Sequence, residues 1–174
     1  MEISEKDKIA YLNKMEKEIQ QYEAENKTGN RILDTILTTK SLNCQEKNIQ
    51  MTCVADGKAL DFVNPMDICS IFGNALDNAI TSAEKVENPE RRLIHVTVSQ
   101  EKSFLRIKIE NSFQGVLKMK NQLPITTKED RRYHGFGLKS MKEIAEKYKG
   151  SMTVSAKDGW FELRILIPLP ESEK

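Results

Sequence analysis

The sequence predicts an α+β fold, a two-layer sandwich of helices on one face of a mixed sheet, preceded by a long N-terminal helix. Three observations lead there. Five short stretches alternate apolar and polar residues with period two, as strands do. Most of them pair into hairpins, at Lys102–Ser103 and Asp158–Gly159. The stretches between carry apolar residues three and four apart, the spacing of helices buried along one stripe. Hairpins whose one face is to be covered by helices give two layers.

Residues 3–27 are rich in Glu, Lys and Gln, and Ile9, Leu12, Met15, Ile19 and Tyr22 form one narrow stripe. A helix this polar needs a partner. It either packs on its own domain or forms one arm of a dimerisation hairpin. Thr28, Gly29 and Asn30 interrupt the chain. Ile32, Leu33, Ile36 and Leu37 begin a second helix with Asp34 and Thr35 facing away, and Ile49, Met51 and Cys53 alternate as a strand. Asn64, Pro65 and Asp67 are an N-cap, a first-turn proline and a first-turn carboxylate, so a helix starts there and runs to about Val86, before Asn88 and Pro89. Ile94, Val96 and Val98 make one strand, and Leu105, Ile107 and Ile109 the next. Residues 112–134 lack periodicity and are expected to form a long loop, a length that usually signals function. Leu138, Met141, Ile144, Ala145 and Tyr148 give a last helix with Gly150 as its C-terminal cap, followed by a closing hairpin.

Composition narrows the function. The 174 residues suffice for one domain and an extension, with 39% apolar and 30% charged residues and a net charge of +1. That balance, with only the short Arg91–Arg92 and Arg131–Arg132 pairs, excludes a nucleic-acid partner. No apolar run approaches the ~18 residues that cross a bilayer, and no signal peptide opens the chain, so no membrane contact is expected. Cys44, Cys53 and Cys69 match no zinc spacing and read as buried free thiols in a reducing cytosol.

Three features carry candidate chemistry. Asn74 and Asn78 lie four apart on one face of the helix from Pro65, among apolar neighbours. They are either two exposed polar positions or a pair of amides held for a ligand. His134, Gly135, Phe136, Gly137 and Leu138 join the long loop to a helix. Glycines there either ease the helix entry or let backbone amides cradle a phosphate at the helix N-terminus. Asn111 ends a strand. It is either a turn residue or an amide matched to the hydrogen-bonding edge of adenine.

Taken in order, these features resemble the GHKL ATPase superfamily, which includes DNA gyrase, a chaperone family, histidine kinases and a mismatch-repair family. The resemblance covers about residues 30–170. Gly73 to Ala83 (GNALDNAITSA) resembles the N box, Ile107 to Phe113 (IKIENSF) stands where the first glycine box belongs, and Thr126 to Leu138 (TTKEDRRYHGFGL) resembles the lid end and second glycine box. Asn111 replaces the usual Asp, and Phe113 replaces the first glycine. Both departures are shared by kinases of the peptide-quorum-sensing receptor type, which this combination most resembles.

The resemblance implies a pocket for ATP and Mg²⁺. Adenine would meet Asn111, and the phosphates the turn formed by His134, Gly135, Gly137 and Leu138. Asn78 would ligate the metal, with Lys128, Arg131 or Arg132 on the lid neutralising phosphate charge. Asn74 occupies the catalytic position where the hydrolases of the superfamily carry a carboxylate. An amide is no general base, so slow hydrolysis and transfer to a better nucleophile are expected. The expected function is that of the ATP-binding catalytic domain of a two-component sensor histidine kinase. The acceptor would be a histidine on a dimerisation helix absent from this chain, because His95 and His134 are the only histidines here.

Residues 1–29 would then be the second helix of a dimerisation hairpin, 30–170 the catalytic domain and 171–174 a disordered tail. The expected partners are ATP, the histidine-bearing helix, a response regulator and a second copy in a homodimeric parent. The expected location is the cytoplasm, below a membrane-anchored parent. An anti-sigma-factor type serine kinase of the same superfamily is the alternative, and a scaffold that binds no nucleotide is a third reading.

Overall fold

A computed structural model describes residues 4–25, 27–115, 119–120, 123–124 and 135–171, without the side chains of 19–25, 119–120, 123–124 and 135–136. The order is helix α1 (Glu5–Glu25), α2 (Arg31–Glu46), strand β1 (Gln50–Ala55), α3 (Pro65–Ala83), β2 (Leu93–Glu101), β3 (Phe104–Ser112), β4 (Met119–Lys120), β5 (Leu123–Pro124), α4 (Gly135–Lys147), β6 (Ser151–Lys157) and β7 (Trp160–Pro168). Short 3₁₀ turns at Gly57–Leu60 and Pro89–Arg91 flank α3.

Five strands form one sheet in the order β1-β2-β3-β7-β6. β1 runs parallel to β2, joined through α3, and every other neighbouring pair is antiparallel. The period-two pattern turns Ile94, Val96, Val98, Leu105, Ile107, Ile109, Leu163, Ile165 and Ile167 toward the helices, all at most 3% exposed. α3 packs on β2 and β3 and lies between α2 and α4. It buries Ile68, Ile71, Phe72, Ala75, Leu76, Ala79, Ile80 and Ala83 against the sheet. Its start follows the sequence signals: Asn64 Oδ1 accepts from Met66 N at 2.9 Å, and Pro65 opens the first turn.

Several expectations change in detail. Asp34 does not simply face away: its Oδ1 accepts from Thr28 N at 2.8 Å and Thr28 Oγ1 at 2.6 Å, tying the α1–α2 junction to α2. The left-handed residue that ends α4 is Lys149, at φ 62°, rather than Gly150. Gly150 is needed for a different reason, because a Cβ there would lie 2.2 Å from the Leu166 carbonyl oxygen of β7. The loop after β3 contains the two-residue strands β4 and β5, too short for any periodicity to register. The thiols are also unequal, since Cys44 is buried, Cys53 half-buried and Cys69 exposed on α3. Burial pushes the Cys44 and Cys53 thiols up to about 11.

Along α1 the first part of the predicted stripe has no cover: Ile9, Leu12 and Met15 are 58%, 62% and 39% exposed. Among the described residues, no helix is long and apolar enough to cross a membrane.

Candidate functional site

The site is built from one edge of α3, the first turn of α4 and the end of β3. On α3 the buried stripe leaves a half-buried edge along which Ser70, Asn74, Asn78 and Ser82 follow at intervals of four. Asn74 Nδ2 donates to the Ser70 carbonyl at 2.7 Å. That bond turns the amide nitrogen back toward Ser70 and the side-chain carbonyl oxygen away from it. That oxygen points at α4: a Cβ on Gly137 would stand 3.3 Å from Asn74 Oδ1. The missing side chain of Gly137 lets the first turn of α4, whose amides have no intrahelical acceptors, lie against the Asn74 edge without displacing that amide.

The two helices run antiparallel, and their far ends are clipped. Tyr148, just past α4, accepts from Asn64 N at 2.9 Å and donates from its hydroxyl to Asp67 Oδ2 at 2.6 Å. Lys147 Nζ lies 2.6 Å from the same carboxylate oxygen. Burial alone would raise the Asp67 carboxyl, but the hydrogen bonds from Lys147 and Tyr148 outweigh it and hold the group below the usual carboxylate range. Burial, together with the neighbouring carboxylate, raises the Tyr148 hydroxyl. The clip and the Gly137–Asn74 contact thus bracket the packing of α4 on α3.

Asn111 is 2% exposed and sits on the helix side of β3, where Ile94 and Phe161 flank it on the neighbouring strands. Its Nδ2 donates to the Ser112 carbonyl at 2.9 Å, which leaves one N–H and the side-chain carbonyl for other partners. Ser112 Oγ accepts from Leu93 N at 3.0 Å and fixes the strand end against β2. Phe113 N donates to the Gly159 carbonyl in the β6–β7 turn at 2.9 Å. Among the described residues that follow β3, the positive φ falls at Gly115, at 100°, and not at Phe113. That explains why a phenylalanine is tolerated two positions earlier, where glycine is expected from the resemblance.

Just beyond this strand end lies a cavity of about 530 Å³, lined by Val86, Leu93, Ser112, Phe113 and Trp160 among others. It meets the site at the end of β3 through Ser112, but neither Asn74 nor Gly137 lines it.

The structure therefore brings Asn74 and Gly137 together, with Asn78 one turn further along the same edge and Gly135 at the start of α4. Leu138 is 6% exposed and belongs to the core, leaving its backbone amide as the group near the helix tip. Lys128, Arg131, Arg132 and His134 lie outside the described residues. His95 is on the sheet face away from the helices, stacked on Trp160 with ring centroids 5.3 Å apart, and it takes no part in the site. Sequence reasoning missed the Asp67–Tyr148 clip. Its only signal was an Asp and a Tyr at the outer ends of two amphipathic helices, which spacing alone cannot pair. Among the described residues no cluster of three His, Cys, Asp or Glu forms a metal site.

Comparison with known proteins agrees with this architecture. The family profile described as GHKL domain matches residues 63–168. Among solved structures, the catalytic domain of histidine kinase ThkA in a nucleotide-free form is similar at TM-score 0.64 and 21% identity, covering 82% of this chain and 96% of that one. The histidine kinase AdeS of Acinetobacter baumannii is similar at TM-score 0.58 and 14% identity, covering 98% of this chain and 88% of that one. Full-length ShkA in complex with AMPPNP is similar at TM-score 0.55 and 16% identity, over 82% of this chain and 30% of that one. No curated protein matches the sequence. With more than half of the chain matched and the fold shared with histidine kinase catalytic domains, this chain belongs to the GHKL domain family.

Proposed function

We propose that this chain is the ATP-binding catalytic domain of a two-component sensor histidine kinase, of the type that serves peptide quorum-sensing receptors. The observation that carries the reading is the contact of Gly137 with Asn74, which sets a helix N-terminus against an edge of side-chain amides. A helix tip with glycines at two of its first three positions accepts an anion through backbone N–H groups. The amides of residues 135–138 would hold the phosphates, Asn111 the adenine edge, and Asn78 would offer its carbonyl oxygen to Mg²⁺. Bound Mg²⁺ supplies charge neutralisation at the phosphates and needs few protein ligands. Lys128, Arg131, Arg132 and His134 would complete the lid side.

Asn74 is held by Ser70 with its oxygen outward. An amide in that place orients but does not abstract a proton, so water is poorly activated and the terminal phosphoryl group awaits another nucleophile. The acceptor in this reading is a histidine on a dimerisation helix of the parent kinase, with a response regulator as the next acceptor. The uncovered α1 stripe supports assigning residues 1–29 to such a hairpin, 30–170 to the catalytic domain and 171–174 to a tail. The parent would be a homodimer anchored in the membrane with this domain in the cytoplasm. The likeness to ShkA, solved with AMPPNP, further supports a nucleotide ligand.

Two assays test the proposal. Calorimetry with a non-hydrolysable ATP analogue should give Mg²⁺-dependent binding, and absence of binding at saturating Mg²⁺ would end the reading. Label transfer from ATP should then reach a histidine-bearing hairpin peptide supplied in trans. Transfer to a serine regulator instead would reassign the acceptor, and a phosphohistidine on this chain alone would contradict the missing-acceptor argument.

A further inference from the structure

The sheet face turned away from the helices carries a charge pattern that pairs unlike charges along each strand and sets like charges opposite across the β3–β7 ladder. In the β3–β7 register Lys108 stands opposite Arg164, and Glu110 opposite Glu162. Like charges directly opposite on a ladder repel each other. Unlike charges instead succeed one another along each strand: Lys108 Nζ is 3.5 Å from Glu110 Oε1, and Arg164 Nη2 is 2.8 Å from Glu162 Oε1. Exchanging residues 162 and 164 would keep the composition and put unlike charges opposite. The actual order produces a negative band beside a positive band, both running across the strands. His95 and Ser155 continue the first row, and Thr97 and Thr153 the second. Arg106 lies one row further on the positive side.

The charged groups are also partly stripped of water. The side chains of Lys108, Glu110, Arg164 and Glu162 are 20%, 26%, 41% and 26% exposed. Nε of Arg106 and of Arg164 is buried with no hydrogen-bond partner. Side chains already held in rows lose less freedom on association than free ones.

We propose that this face is a self-association surface whose occupant is a second copy of this chain. Adjacent bands of opposite sign are complementary to themselves. A two-fold axis lying between the bands and parallel to them sets Lys108 of one copy over Glu110 of the other, and Arg164 over Glu162, twice over by symmetry. Val54, 76% exposed on the edge strand β1, adds apolar contact on the same face. The face offers on the order of 600 Å², from strand spacing and length. That is below the about 800 Å² per partner of a standard interface, so the pair is weak and forms at high local concentration. The inference uses none of the nucleotide-site residues and stands apart from the kinase reading.

Sedimentation velocity across a concentration series tests it on the whole chain. The wild type should show reversible self-association that weakens at least tenfold as salt rises from about 50 mM to about 500 mM. The double variant Lys108→Glu, Arg164→Glu should remain a monomer. The fourfold exchange Lys108→Glu, Glu110→Lys, Glu162→Arg, Arg164→Glu reverses the bands while conserving composition. It should regain self-association yet form no mixed dimer with the wild type. If the double variant fails to fold, the exchange variant still decides through mixing. A wild type that stays monomeric at every concentration in low salt overturns the proposal. So does a dimer indifferent to salt and to all of these substitutions, which would place association on α1 instead.

Discussion

Asn74 Oδ1 and the point where a Cβ of Gly137 would sit are 3.3 Å apart, close enough that one methyl group tests the whole site. Alanine favours a helix over glycine by about 1 kcal/mol. Asn74, tied to Ser70, must give by a few tenths of an ångström to admit it. Gly137→Ala should therefore leave the melting temperature unchanged or slightly raised while lowering affinity for the Mg²⁺–ATP analogue by about fivefold, roughly 1 kcal/mol. Calorimetry beside a thermal melt checks both halves. Unchanged affinity would mean that ligand phosphates do not use this turn.

Asn78→Ala should separate the metal from the base. The variant should bind the analogue about tenfold more weakly with Mg²⁺, a loss of about 1.4 kcal/mol, and equally well without it. A titration in EDTA against one in Mg²⁺ reads the difference. Equal loss in both would move Asn78 from metal to nucleotide contact.

The clip between the far ends of α3 and α4 gives a stability test. Tyr148→Phe removes the bond to Asp67 and the acceptor of Asn64 N, and should cost about 1 kcal/mol in urea unfolding. The Asp67 carboxyl is depressed in the folded state, so its contribution is complete above the ordinary carboxylate pKa of about 4. That contribution is lost as pH falls through the lower folded value. Asp67→Asn should be less stable than wild type at neutral pH and lose less on acidification. Parallel curves for the two proteins would show that the clip does not titrate.

The three thiols should react in order of access. Cys69, exposed on α3, should label first with a disulfide reagent at neutral pH. Cys44 and Cys53, raised to about 11 by burial, should wait for unfolding. Simultaneous labelling of two thiols in the native protein would contradict this order.

The elements along α3 were legible because each rests on local chemistry. Asn64 and Pro65 fix its start, and the apolar spacing fixes the face that packs on Ile107 and Ile109. The period-two strands gave the helix-facing rows of the sheet in the same way. What spacing could not give is anything two distant segments decide together. The insertion of β7 between β3 and β6, the pairing of Tyr148 with Asp67 and the true reason for Gly150 all depend on which backbone passes beside which. The Asn74–Gly137 contact was reachable only through the resemblance, since neither a lone pair of amides nor a lone pair of glycines names its counterpart.

The position of β7 has one more consequence, for how the protein is made. Its residues pair on both sides, with β3 and with β6, so the last segment made, Trp160–Pro168, is an interior strand of the sheet. During synthesis β1, β2 and β3 emerge with the inner edge of β3 open, and the strand that pairs with it in the fold is the last one made. Until those residues leave the ribosome, the growing chain holds an exposed, aggregation-prone border. A stop codon before Trp160 would accordingly yield insoluble material rather than a shortened domain.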